Sequence, residues 1–223
     1  TEKANNPSNI HPLFLVQLYS GKWYSKVIKG FTRGKFSHAG IALDSNLSKV
    51  YSFMPGGYTI ESLDIYKETC GEDSTICIHC LFINNDDYVK LVDKLDDFLK
   101  KIHSTKYAWG RLLAIALNKP GVSNNKMVCS QFVASVLKYI DLNLSDKDPS
   151  LTTPNDFKTE DTNIYKLYEG DIYKLDSKLL KAISDKVDVL TDSVGCDYKT
   201  AKLSTSAIRN LVAQEDLSLI RAY

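Results

Sequence analysis

Two hydrophobic periods divide this chain, and the change from one to the other limits what it can fold into. Between Phe36 and Ile83 the apolar residues come in short runs rich in β-formers, at 39–43, 49–54, 58–60 and 75–83, separated by Asp44-Ser-Asn-Leu-Ser and Pro55-Gly-Gly57. Such runs between turn residues describe short strands joined by tight connections, the first two forming a hairpin. From Tyr88 the spacing changes. Tyr88, Leu91, Val92, Leu95, Phe98, Leu99 and Ile102 recur every three or four residues, and Asn84-Asn-Asp-Asp in front of them supplies side chains that can cap a first helical turn. Phe132, Val133, Val136, Leu137 and Ile140 repeat the helical period, so a helix opening at Cys129 lays an apolar stripe on the sheet. The expected fold class is α+β, with a short-stranded antiparallel sheet.

The flanking segments fill in around that frame. Trp23, Val27, Ile28 and Phe31 share a helical face, and a further helix is expected over 109–117, before Pro120-Gly121. Leu13–Ser20 is mostly apolar, and periodicity leaves strand and buried helix equally open. Asp148-Pro-Ser-Leu-Thr-Thr-Pro-Asn-Asp reads as a surface turn leading to a helical turn near Pro154, and 164–168 with 171–175 as a hairpin around Glu169-Gly170. The expected organisation is an arm over 1–12, one domain over 13–175 and a mostly helical extension over 176–223. Leu179, Leu180, Ile183, Val187 and Leu190 line one helix of that extension, and Ile208, Leu211 and Val212 begin another.

Composition excludes several classes. A chain of 223 residues that is 43% apolar buries a core without disulfides. Its net charge of +1 gives no general attraction to nucleic acid. The charge is uneven, since Lys22, Lys26, Lys29, Arg33 and Lys35 fall in a stretch without acidic residues, so the 22–35 segment is a candidate contact for an anionic substrate, a lipid or a protein partner. Five scattered cysteines, with no apolar span of membrane length, suit a reducing compartment, the cytoplasm or a larger assembly within it. Cys77-Ile-His79-Cys80 has no second cysteine pair at zinc-ribbon spacing, so neither a metal nor a cofactor is expected.

The chemistry sits in two short motifs, Phe36-Ser-His-Ala-Gly-Ile-Ala-Leu43 and Cys129-Ser-Gln-Phe-Val-Ala134. A cysteine in the first turn of a helix faces free N–H groups and the positive end of the helix dipole, both favouring a thiolate. A histidine entering a strand can serve as its base. The joint placement marks Cys129 and His38 as nucleophile and base. Taken singly, either residue has a structural explanation.

These motifs resemble the circularly permuted branch of the NlpC/P60 papain-like superfamily, in which a histidine strand precedes a cysteine helix. Ser37-His38-Ala-Gly-Ile stands for the first, Val128-Cys129-Ser-Gln-Phe-Val for the second, and Thr153-Pro154-Asn-Asp-Phe for the segment that follows the helix. The resemblance covers about residues 20–170 and implies a papain-like core. It also implies a polar third residue on the strand after the histidine, where this chain has Ser52; Glu61, beyond the Gly56-Gly57 turn, is the alternative. Tyr107 is a candidate oxyanion donor, with core packing as its other reading. The expected reaction is thiol-dependent cleavage of an amide bond in a peptide or peptide-like substrate. The resemblance leaves open a lipid acyltransferase or thioesterase, and a catalytically inactive module of a larger assembly.

Overall fold

The computed structural model describes residues 10–21, 34–54, 56–101, 106–107, 126–160 and 163–197. Six strands form one sheet: β1 (Ile10–Tyr19), β2 (His38–Ala42), β3 (Val50–Met54), β4 (Gly57–Glu61), β5 (Thr75–Asn84) and β8 (Tyr165–Asp171). Their order is β4-β3-β2-β1-β5-β8, and every neighbouring pair is antiparallel. A separate two-stranded parallel pair joins β6 (Lys106–Tyr107) to β7 (Lys126–Met127). Among the described residues there are four α-helices: α1 (Leu63–Thr69), α2 (Asn85–Lys100), α3 (Cys129–Tyr139) and α4 (Ser177–Asp197).

The ambiguity of Leu13–Ser20 has a physical origin. β1 lies at the centre of the sheet, and both of its faces are covered: Phe14, Val16 and Leu18 point into one core, Leu13 and Leu15 into the other. A strand buried on both sides shows no alternation. The strand also begins earlier than expected. Ile10, His11 and Pro12 are not a loose arm but pair with Asn84, Ile83 and Phe82, and the His11 ring stacks on Tyr88 at 4.1 Å.

Each face of the sheet carries helices. On one face α4 covers β1 and β5 through Leu179, Ile183, Val187 and Leu190, all buried, with Tyr66 of α1 in the same core. Each of those side chains contributes roughly 1.5–3 kcal/mol of burial. This amphipathic face is therefore part of the core, and the expected boundary at residue 175 runs through packed structure. The other face carries α2 and α3, centred on Phe53, Tyr58, Phe98 and Phe132, whose ring centroids lie 5.1–6.1 Å apart. α2 opens as expected on Asn84, whose side chain accepts a hydrogen bond from Asp87 N at 2.9 Å.

Two local expectations are corrected, and one helix is added. Residues 164–175 form no hairpin; β8 continues through Glu169 and Gly170, pairs with β5 along its length, and ends in a 3-10 turn over Ile172–Lys174. Gly170 is explained by proximity instead, because a Cβ there would lie 2.9 Å from the Tyr168 hydroxyl. The Asp148–Asp156 segment does turn at Pro154, where Asp156 N donates to Thr153 O at 3.1 Å, but its 3-10 turn lies at Pro149–Leu151, and Ser150, Thr152 and Thr153 are buried, so most of it is not surface. α1 was not apparent from apolar spacing because it is only seven residues long; its signal is Ser62, whose hydroxyl caps the helix by accepting from Ile65 N. The helices expected over 23–31, 109–117 and 208–212 lie outside the described residues.

Candidate active site

Cys129 is the first residue of α3, after Val128 in extended conformation, and no side chain caps that end of the helix. The uncapped donors have another use. The backbone N–H groups of Cys129, Ser130 and Ala39 all act on the thiol and favour its ionised form. Burial opposes them more strongly, because the residue is 4% exposed, and pushes the thiol up to about 11. Ala39 follows His38 in β2, so the first turn of α3 meets the sheet beside the histidine. The meeting is possible because the β2–β3 ladder is short: Ile41 pairs with Tyr51 and Ala42 with Val50.

His38 pairs with Leu18 across β1 and belongs to the sheet face that carries α1. On the same face Gly40 and Ala42 follow it, two residues with little or no side chain. The imidazole meets the edge of the Tyr66 ring, with centroids 6.1 Å apart, and its Nε2 stands 3.7 Å from Glu61 Oε2. Glu61 closes β4 opposite Val50, which in turn faces Ala42. Gly40 keeps this path open; a Cβ there would come within 2.7 Å of Val50 Cγ1.

Desolvation sets the charges of this pair. Burial lowers His38 to about 4 and raises Glu61 to about 7, with the Tyr66 hydroxyl drawing Glu61 back down. At neutral pH the imidazole is therefore uncharged and can accept a proton, while the carboxyl stands near its midpoint. His38 Nε2, Glu61 Oε2 and the Tyr66 hydroxyl are all buried without a well-formed hydrogen bond. Tyr66 is close enough to Glu61 to influence its ionisation but makes no hydrogen bond to it.

Ser52 is placed differently from its expected role. Its hydroxyl donates to the Ala39 carbonyl at 2.6 Å and fastens β3 to β2 beside the thiol. The carboxyl facing the imidazole is Glu61. Tyr107 comes near through its backbone, since β6 pairs Tyr107 with Met127, two residues before Cys129. Of the basic segment over 22–35, only Gly34 and Lys35 are described, and Lys35 is paired with Glu169.

One positioning element was not assigned a role from the sequence. Asn155 accepts from Phe36 N and donates to Phe36 O, both at 2.8 Å, gripping the backbone two residues before His38. The preceding residues hold the other parts: Thr152 O accepts from Ser130 Oγ at 2.5 Å, and Pro154 O accepts from Gln17 Nε2 at 2.5 Å. A single loop thus ties the first turn of α3, the central strand and the approach to β2. Gly34 leaves space for that grip, because a Cβ there would fall 2.0 Å from Asn155 Cγ. The signal was present in Thr153-Pro154-Asn-Asp-Phe, read as a motif but without a function.

Other candidates fall away from this centre. Strand alternation places Cys77 and His79 on one face of β5 and Cys80 on the other, and among the described residues no three His, Cys, Asp or Glu side chains are arranged to hold a metal. Cys77 Sγ lies 3.7 Å from His79 Nδ1, but burial pushes its thiol up to about 12 and no helix end serves it. A cavity of about 280 Å³ lies at the other end of α3, lined by Leu137, Lys138, Leu144, Lys147 and Phe157. No described helix is long and apolar enough to cross a membrane. Compared with models of known protein families and with curated proteins, the chain matches none.

Proposed function

We propose that the chain is a thiol-dependent hydrolase that cleaves an amide bond in a peptide or peptide-like substrate, on a papain-like core in permuted order. The observation that carries this reading is the position of the Cys129 thiol, on uncapped helix N–H groups and beside the backbone of His38. In the proposed cycle the His38 imidazole, which packs on the sheet face opposite the body of α3, turns toward the thiol at the end of that helix and removes its proton, and the Cys129 sulfur attacks the substrate carbonyl carbon. The negative charge formed on the carbonyl oxygen is met by N–H groups at the start of α3. Collapse expels the amine, which takes its proton from the imidazolium, and leaves a thioester on Cys129. Water then attacks that thioester with His38 again as base, releasing the acid and the thiol.

Glu61 replaces Ser52 as the group that faces the imidazole. Its carboxylate 3.7 Å from Nε2 would stabilise the imidazolium formed when the thiol gives up its proton. Ser52 and Asn155 position backbone, and Tyr107 keeps its place as a candidate oxyanion donor. The test compares wild type, Cys129→Ala and His38→Ala on matched panels of peptide amides and lipid esters, following both product and acyl-enzyme mass. Loss of amide turnover in both folded variants is the expected result. Turnover of lipid esters alone would reassign the chain to acyl transfer or thioester chemistry on lipids. Equal background rates in all three proteins would make it a non-catalytic module.

A further inference from the structure

We propose that Tyr66 is a positioning residue of this site, its hydroxyl holding the ionised Glu61 carboxylate in place against His38. The inference rests on the reading of Cys129 and His38 as nucleophile and base.

The local chain makes the arrangement rigid. Glu61 ends β4, Ser62 caps α1, and Tyr66 lies in the next turn with its N–H bonded to Ser62 O at 2.9 Å. A strand end and a capped helix therefore fix the spacing of the two backbone positions, and rotation of the side chains sets the distance between the carboxyl and the phenol, which make no hydrogen bond at rest. The far end of α1 is tied down as well, since the Tyr173 hydroxyl shares its one proton between Lys67 O at 3.1 Å and Cys70 O at 3.0 Å. Tyr66 is 1% exposed, so its hydroxyl does not turn to bulk water.

The neighbours decide what that hydroxyl is for. The titratable groups acting on it are Glu61 on β4, Cys129 on α3 and Cys70 at the end of α1, while His38 on β2 packs against its ring edge. Glu61 is the strongest acceptor among them, and its side chain is also the one whose ionisation the hydroxyl assists. A buried hydroxyl and a buried carboxyl oxygen left without good partners are each costly. Ionisation of Glu61 gives both a reason to close the remaining gap, and a charge-assisted bond between them would keep the carboxylate from swinging away from the imidazole.

The test follows the rate at which iodoacetamide alkylates Cys129 across pH 5–9, read on the Cys129 peptide by mass spectrometry, in wild type and in His38→Ala, Glu61→Gln, Tyr66→Phe and the last two combined. In wild type the rate should show a step through the Glu61 midpoint, superimposed on the steady increase from ionisation of the thiol. Tyr66→Phe keeps the ring against His38 and removes only the hydroxyl, so the step should move upward by about one pH unit, with roughly tenfold slower alkylation on its acid side. Glu61→Gln should remove that step and leave only the steady increase from ionisation of the thiol, and the double variant should match Glu61→Gln alone. Glu61→Asp keeps the charge but withdraws it by one methylene, and should move the step in the same sense if Tyr66→Phe folds poorly. An unmoved step in folded Tyr66→Phe, or independent effects of the two changes, overturns the role of Tyr66. A wild-type rate that His38→Ala leaves unchanged, or a Cys129 that never reacts, overturns the reading of nucleophile and base instead.

Discussion

Replacing Glu61 with glutamine should reveal a proton that the fold moves from one residue to another. In the unfolded chain, between about pH 4.5 and 6.5, a glutamate is ionised and a histidine is protonated. In the folded site burial raises Glu61 to about 7 and lowers His38 to about 4, so over the same range the carboxyl holds the proton and the imidazole is neutral. Folded and unfolded states then bind the same number of protons at this pair. Its contribution to stability is flat across that window, although both residues are far from their ordinary values.

The two changes carry opposite signs. Glu61 has a raised folded value, so on its own it makes the fold less stable as pH rises from about 4.5 to about 7. His38 has a lowered folded value, so on its own it makes the fold less stable as pH falls from about 6.5 to about 4. Each displacement, from 4.5 to about 7 and from 6.5 to about 4, corresponds to about 3 kcal/mol. Glu61→Gln deletes only the first. The assay is urea denaturation of wild type and Glu61→Gln at half-unit steps from pH 4 to 8, with the difference in unfolding free energy plotted so that all other titrations cancel. Relative to the variant, wild type should lose about 3 kcal/mol between pH 4.5 and 7. A difference that stays constant across the range would refute the claim that burial holds Glu61 protonated.

Three further outcomes test the frame around the site. Asn155→Ala removes both hydrogen bonds to Phe36 and should cost about 2 kcal/mol in urea denaturation while slowing Cys129 alkylation, because the entry to β2 is released. Gly40→Ala puts a Cβ 2.7 Å from Val50 Cγ1 on the path between His38 and Glu61; a loss of about 1–3 kcal/mol and a weaker Glu61 signature in the pH–stability difference are expected. Phe132→Ala should cost about 3–5 kcal/mol, since its ring touches Phe53, Tyr58 and Phe98 at the centre of the α3 core, and thermal melting would measure it.

The most legible helix, α2, has one wet face, so its period alternates core with charge. α3 is buried on nearly every side, and its period shows because Phe132, Val133, Val136, Leu137 and Ile140 set large apolar side chains on one stripe with Gln131 and Ser135 off it; the β2–β3 hairpin shows its turn residues. β1 was ambiguous because helices cover both of its faces. The same limit governed the site. His38 and Cys129 could be found because each opens an element, and a first position is visible in a motif. Glu61 stands second to Ser52 in the sequence because the family resemblance places the third residue on the next strand, whereas the structure brings in a carboxyl from one strand further away. That longer reach depends on Gly40 and Ala42 being small and on Ser62 starting a helix immediately after Glu61. None of these features has a periodic signal, and Asn155 acts through backbone atoms that no side-chain pattern records.

On the proposed reading, the energetics of the resting site follow from its chemistry. A structural module gains stability by capping its helices and pairing its buried polar atoms, since each unpaired group costs on the order of 1–3 kcal/mol. Here the first turn of α3 has no side-chain cap, and three polar atoms meet around His38 without proper bonds. Apolar side chains of similar shape would be cheaper in the same space. The N–H groups at Cys129 are aimed at a charge that the resting thiol, pushed up to about 11, does not carry. Burial is the largest cause of the shifts at Cys129, His38 and Glu61 alike, so a polar substrate entering the site would relax all three together. Donors fixed in advance for a charge that appears only during reaction are the arrangement that lowers a barrier, and their cost is carried by the two cores on either side of the sheet.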